Sequence, residues 1–244
     1  MLSVATCLFA SCGGPNLNDV LDSIPGGGDI SNLLPGGGTE TPTKGLSYTP
    51  ITDGYAVSGI GSCEQTEIVI PSTHQGSPVK AINDSAFEGC TKITSIKIPD
   101  SVKTIGSAAF SECTGLTSVT IGNSVETIGW SAFYGCTGLT SVTIPDSVKT
   151  IGYSAFRDCT GLTSVTIGNS VESIDQSAFS DCTGLTSVTI GNSVKTIDDW
   201  AFDGCTNLTV INYRGTKAQW KAINKSSVWD SNTGNYTINY EYMG

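Results

Sequence analysis

Nine residues, CTGLTSVTI, occur four times without change, beginning at Cys113, Cys136, Cys159 and Cys182. The interval is always 23 residues, and it governs much more than this string. Cysteines stand at 90, 113, 136, 159, 182 and 205, with phenylalanines in step at 87, 110, 133, 156, 179 and 202, each preceded by alanine. Further apolar rows complete the unit C-x-x-L-x-x-V-x-I-x-x-x-V-x-x-I-x-x-x-A-F-x-x. Such a unit has apolar residues to bury on both sides of a short strand and no partner except the next unit. Stacking turns each row into an internal column, so the chain is constrained to a quasi-one-dimensional solenoid.

Leu116–Ile121 supplies the strand of one coil, with Val119 and Ile121 inward and Ser118 and Thr120 outward by the period of two. Parallel strands of successive coils then lie about 4.8 Å apart. Gly122-Asn123, or Pro145-Asp146 one coil on, makes the following turn. The stretch around Ser107–Ser111 has room for one helical or 3-10 turn only. The fold class expected is a repeat solenoid of seven or so coils, with parallel β-strands on one face and short strands or helical turns on the other.

This 23-residue pattern resembles the leucine-rich repeats of the BspA-like bacterial surface proteins, over roughly residues 55–242. The resemblance implies a leucine-rich-repeat solenoid whose strand side is the concave face on which partners often dock, and a role in adhesion to host matrix proteins or to other bacteria. A solenoid must close both ends. Tyr55–Ile82 reads as a degenerate first coil, with Ile68, Ile70 and Pro71 in register with Ile96, Ile98 and Pro99. Downstream, Thr216 can cap a short helix whose Trp220 and Ile223 cover the last coil, and NYTINYEY alternates as an edge strand does. The organisation is therefore 1–12 lipoprotein signal, 13–49 tether, 50–89 N-terminal cap and degenerate first repeat, 90–212 repeats, and 213–244 C-terminal cap.

The first two of these segments are read from composition. Leu2–Ala10 is short and mostly apolar, and Ala10-Ser11 precede Cys12 as small residues precede the acylated cysteine of a bacterial lipoprotein signal, which the segment resembles. Phe9 replaces the usual leucine, and no Lys or Arg forms a charged leader. Lipidation at Cys12 is the expectation, with an ordinary apolar N-terminus as the alternative. Behind it, IPGGG at Ile24–Gly28 and LPGGG at Leu34–Gly38 offer nothing to pack, which reads as a tether.

Cysteines 23 residues apart in a solenoid stand one above another with parallel Cα–Cβ vectors, whereas disulfides need converging ones. Cys90 to Cys205 therefore read as buried thiols aimed at backbone carbonyls. Chemistry has little to work with. His74 is the sole histidine and sits in the segment STHQGSP, read as a solvated loop. No nucleophile elbow, P-loop, HExxH, calcium loop or CxxC occurs, so no cofactor and no metal is called for, and an enzyme is not expected. A net charge of −10 without a Lys/Arg cluster argues against nucleic acid, and no apolar run is long enough to span a membrane. Contact with a membrane is expected through a lipid anchor alone.

Three rows carry surface information. Lys103, Glu126, Lys149, Glu172 and Lys195 alternate in sign, which suits stacking at strand spacing and fixes register; a binding role is the lesser reading. Ser118, Ser141, Ser164 and Ser187, with Thr120, Thr143, Thr166 and Thr189, form a uniform hydroxyl face, either a docking surface or side chains that suit exposed strands. Trp130 and Tyr153 occupy one position of adjacent coils, and Tyr134 and Arg157 another. These types dominate interface hot spots, so the four are a candidate binding patch; simple divergence is the alternative. The function expected is non-catalytic: an exported, lipid-anchored surface module that binds a protein or glycan of a host or bacterial surface. The rivals are a structural spacer and a hydrolase site around His74 and Asp53 in the cap.

Overall fold

The computed structural model describes residues 41–62 and 64–243. The chain winds as a parallel β-solenoid with two strands in each coil. One face is built from Glu67–Val69, Ser95–Lys97, Ser118–Thr120, Ser141–Ile144, Ser164–Ile167, Ser187–Ile190, Val210–Tyr213 and Thr237–Asn239, eight strands among the described residues. Their register is that of the repeat: Ser141 pairs with Ser164, Val142 with Val165, and Ser164 with Ser187. The ladder is interrupted once, between Ser118–Thr120 and Ser141–Ile144. A second sheet runs through the two-residue strands Thr104–Ile105, Thr127–Ile128, Thr150–Ile151, Ser173–Ile174 and Thr196–Ile197.

The inside is an orderly set of columns. Phe87, Phe110, Phe133, Phe156, Phe179 and Phe202 have no exposed surface, and their rings stack with centroids 5.0–5.3 Å apart and planes within 15°. That is the range of offset aromatic stacking. Leucine, valine and isoleucine rows fill the space beside them, so Leu139, Val142 and Ile144 of one coil are all buried.

The third side differs from the helical or 3-10 turn expected. It is a run of β-turns in which alternate amides leave the coil: Phe110 N–H donates to Ala132 and Glu112 N–H to Tyr134 in the next coil, while Ser111 N–H donates back to Ala108. A helix would direct all three along its own axis. The coil-to-coil bonds are reached by left-handed backbone at two positions per turn, here Ala108 (φ 51°) and Glu112 (φ 57°), repeated at Ser131 and Gly135, Ser154 and Asp158, Ser177 and Asp181, and Trp200 and Gly204. The neighbouring coil's carbonyls dictate this backbone, so residues with no αL preference adopt it.

A threonine row adds a further set of ties. Thr117, Thr140, Thr163, Thr186 and Thr209 each donate their hydroxyl to the backbone carbonyl of the threonine one coil earlier, at 2.9–3.3 Å. Asp100 and Asp146 act similarly at the turn, accepting from the amides of Asn123 and Asn169 at 2.6 and 2.5 Å.

Both ends are closed. The degenerate first coil is as expected, with Ile68 opposite Ile96. The folded cap nevertheless begins before residue 50. Thr43 and Leu46 are buried, Thr43 exchanges bonds with Val69, and Ser47–Ile51 forms an antiparallel hairpin with Gly54–Gly59. The tether expected over 13–49 thus loses its last residues to the cap; its earlier part lies outside the described residues. At Gly54 (φ 153°) a Cβ would stand 2.2 Å from the Pro78 carbonyl oxygen, which explains the Asp53-Gly54 turn.

At the far end helix α1 (Lys217–Ala222) starts on a capping box, Thr216 Oγ1 accepting from Gln219 N–H and Gln219 Oε1 from Thr216 N–H. Trp220 and Ile223 are buried, and Trp229 meets the Phe202 ring edge-on at 88°.

Candidate partner-binding surfaces

The strand side places Ser118, Thr120, Ser141 and Thr143 exposed and Ser164, Thr166, Ser187 and Thr189 half-buried, in two outward rows that span the break in the ladder after Thr120. Toward the N-terminal end these rows become the floor of a groove of 760 Å³, whose lining includes Thr41, Glu64, Glu67, Lys97, Ser118 and Thr120. A smaller cavity of 390 Å³ lies between Glu172, Lys195, Tyr213 and Gln219 at the C-terminal cap. Neither includes His74 or Asp53.

His74 is not a solvated loop residue. It lies in a two-residue strand, Thr73–His74, half-buried, with its ring stacked on Tyr48 at 3.8 Å and edge-on to Tyr55 at 4.8 Å. Both faces of the packing it makes are aromatic, and Tyr55 Oη donates to Gln75 Oε1. Burial pushes the Tyr48 phenol up to about 12. This cluster pins the N-terminal hairpin.

The cysteine column is as expected in kind. Cys113, Cys136, Cys159, Cys182 and Cys205 are buried free thiols, each donating to the carbonyl oxygen of the phenylalanine one coil earlier at 3.0–3.2 Å. Burial raises their thiol pKa values, to about 12 at Cys113, Cys159 and Cys205. Cys90 departs from the expectation: it heads the column half-buried. Cys7, Cys12 and Cys63 lie outside the described residues.

The alternating charge row does pair between coils, Lys103 with Glu126 at 3.2 Å and Lys195 with Glu172 at 2.6 Å. The Lys195 hydrogen bond and charge hold the Glu172 carboxyl below the usual range.

On the turn side Trp130 and Tyr153 are 67% and 42% exposed and stand in adjacent coils, joined by Ser131 N–H donating to the Tyr153 carbonyl. Tyr134 and Arg157 are half-buried beside them. The Arg157 guanidinium is already engaged, 3.4 Å from Asp158 and 3.5 Å from Asp181. Sequence reasoning did not include Trp200, 43% exposed in the next column, because its counterparts are alanine and serine. Among the described residues no group of His, Cys, Asp or Glu is placed to hold a metal, and no helix is long and apolar enough to cross a membrane.

The sequence matches the family described as BspA type leucine rich repeat region, in six copies, over residues 80–209 and 126–240. The chain belongs to this family. It is similar to a leucine-rich repeat protein of T. pallidum, 35% identical, covering 71% of this chain and 81% of that one with a TM-score of 0.67. A leucine rich cell surface protein of Faecalibacterium prausnitzii is 28% identical, covering 75% of this chain and 42% of its own length, TM-score 0.55. The pneumococcal vaccine antigen PcpA, 19% identical and covered over 48% of its length, shares the fold at a TM-score of 0.61. The chain thus spans less than half the length of the latter two. No curated protein matches it.

Proposed function

We propose that this chain is a non-catalytic recognition module, exported and held at a bacterial cell surface by an acylated Cys12, that binds a protein or glycan of a host or bacterial surface. The observation that carries this reading is the open strand side: two rows of hydroxyl side chains run in register from Ser141 to Thr189, and beyond the break in the ladder Ser118 and Thr120 line a groove of 760 Å³. Columns of identical residues offer one environment many times over, whereas acid–base catalysis sets two groups in different environments. Extended repetition suits an extended ligand. Membership of the BspA-type family and the likeness to the Faecalibacterium cell surface protein support the location.

The test is an array of matrix proteins and oligosaccharides probed with the full chain and with Thr120→Lys/Thr143→Lys. The ligand bound by the parent should bind the variant about tenfold more weakly. A chain that captures nothing on either type of array is a spacer, and the proposal fails. Mass spectrometry of the Cys12 peptide from the membrane fraction should find an acyl addition; an unmodified Cys12 there overturns the anchor.

A further inference from the structure

The turn side is where the coils differ from one another. One column reads Asp84, Ser107, Trp130, Tyr153, Gln176, Asp199, brought side by side by the coil-to-coil bonds of the residues that follow. Trp130 and Tyr153 hold large rings out to solvent in consecutive coils, about one strand spacing apart. Such rings normally find cover, and exposed Trp and Tyr mark contact surfaces.

Charge on this side is strongly one-signed. Between the second strand and the cysteine, the six turns spanning 83–89 to 198–204 carry nine carboxylates and one guanidinium, so eight of the chain's ten net negative charges lie here. That guanidinium, Arg157, is paired within the face. The lysines of the alternating row stand instead beside the second strands, at 103, 149 and 195.

The turn from 129 to 135 contains no charged residue of its own, and with Phe133 buried its large side chains outside the core are Trp130 and Tyr134. Carboxylates close on it from both neighbours. The Glu112 carboxylate lies over Gly135, where a Cβ would come within 2.9 Å of it. Asp158 bears on Tyr134 from the other side. Asp175 stands one coil beyond Tyr153.

We propose that this face docks an arginine-rich segment of a partner polypeptide, its guanidinium groups over Trp130 and Tyr153 and paired with Glu112, Asp158 and Asp175. The aromatic faces attract a cation, and guanidinium stacks on them better than ammonium does. The surrounding carboxylates supply the field that steers a basic chain and repels phosphate or acidic glycans. A neutral glycan would use the rings and leave the charge without a role. This inference rests on the reading of the chain as a recognition module.

The test titrates nona-arginine and nona-lysine peptides into the full chain at low and high salt, followed by calorimetry. Nona-arginine should bind about fivefold more tightly than nona-lysine. Trp130→Ala/Tyr153→Ala leaves the net charge unchanged and should weaken nona-arginine about tenfold. Glu112→Gln/Asp175→Asn should weaken it and flatten the salt dependence. Thr120→Lys/Thr143→Lys, on the strand side, serves the separate test of the module reading. Unchanged affinity in Trp130→Ala/Tyr153→Ala, or no binding at low salt, overturns the proposal. So does a neutral oligosaccharide whose binding, unlike that of nona-arginine, depends on those two rings. Each of these leaves intact a recognition module whose array ligand responds to the strand-side variant.

Discussion

The thiol of Cys136 donates to the carbonyl oxygen of Phe110 at 3.1 Å, tying the small residue of one coil to the ring-bearing residue of the coil before it. Four other cysteines repeat this bond. A buried carbonyl on the tight turn thereby gains a partner, and a weak donor of small volume fits where a hydroxyl or methyl would change polarity or shape.

This column makes stability fall in alkali. Burial lifts the thiols from 9.0 to about 12 at Cys113 and Cys205, so the unfolded chain loses its protons first. Their contribution is intact below pH 9.0 and is lost as pH climbs toward 12, with a slope of about 1.4 kcal/mol per pH unit per thiol. Urea midpoints measured across that window should drop steeply. Cys136→Ala should make the drop shallower by one thiol's share, and a midpoint that stays level through the window would refute the assignment.

The phenylalanine stack is the most sensitive place for truncation. Phe133 lies between rings 5.1 and 5.0 Å away and has no exposed surface. Phe133→Ala should cost about 3–5 kcal/mol in equilibrium unfolding. Phe87 has one ring neighbour in the stack, so Phe87→Ala should cost less. An equal or reversed order would mean that stacking between coils contributes little beyond burial.

Two glycines separate steric need from backbone need. A Cβ at Gly122 would stand 2.5 Å from the Pro99 carbonyl oxygen, whereas one at Gly89 meets nothing within 4 Å but requires φ of 68°. Gly89→Ala should cost about 1–2 kcal/mol, the expense of a left-handed alanine. Gly122→Ala should cost more, because a neighbouring coil has to move; thermal melts of the two variants rank them directly.

Among the glutamates, Glu172 should titrate below its ordinary value in a side-chain NMR titration, since Lys195 hydrogen-bonds to it. Its folded-state value is depressed, so the contribution to stability is present above the unfolded value and fades as pH falls through the folded one. Lys195→Ala should move the titration back up; an unmoved curve would remove the pairing as its cause.

Much of this fold was legible because every inward row repeats the same side chain, and register follows once the interval of 23 is seen. The strand polarity of Ser118 and Val119, the cap at Thr216 and the thiol donors could all be read from period and residue type. The left-handed turn could not. Nothing about Ala108 or Glu112 favours positive φ, and the bonds that require it belong to Trp130's and Tyr134's coil. The hairpin before Tyr55 did carry a signal, Asp53-Gly54 between β-prone runs, but it lies outside the repeat interval. His74 was misplaced because its partner Tyr48 lies 26 residues away in that hairpin. On the candidate patch, the columns put Trp130 beside Tyr153 in advance, but the engagement of Arg157 by Asp181 depends on rotamers.

Trp229 stands at a right angle to Phe202, and that single rotation sets the grammar of the whole array. A ring lying flat invites another above it; one turned on edge gives a copy nowhere to land. Lengthening or shortening therefore belongs to the interior, where a unit can be spliced between two like neighbours without disturbing either terminus. Reach becomes a quantity that duplication can adjust while the bookends stay as they are.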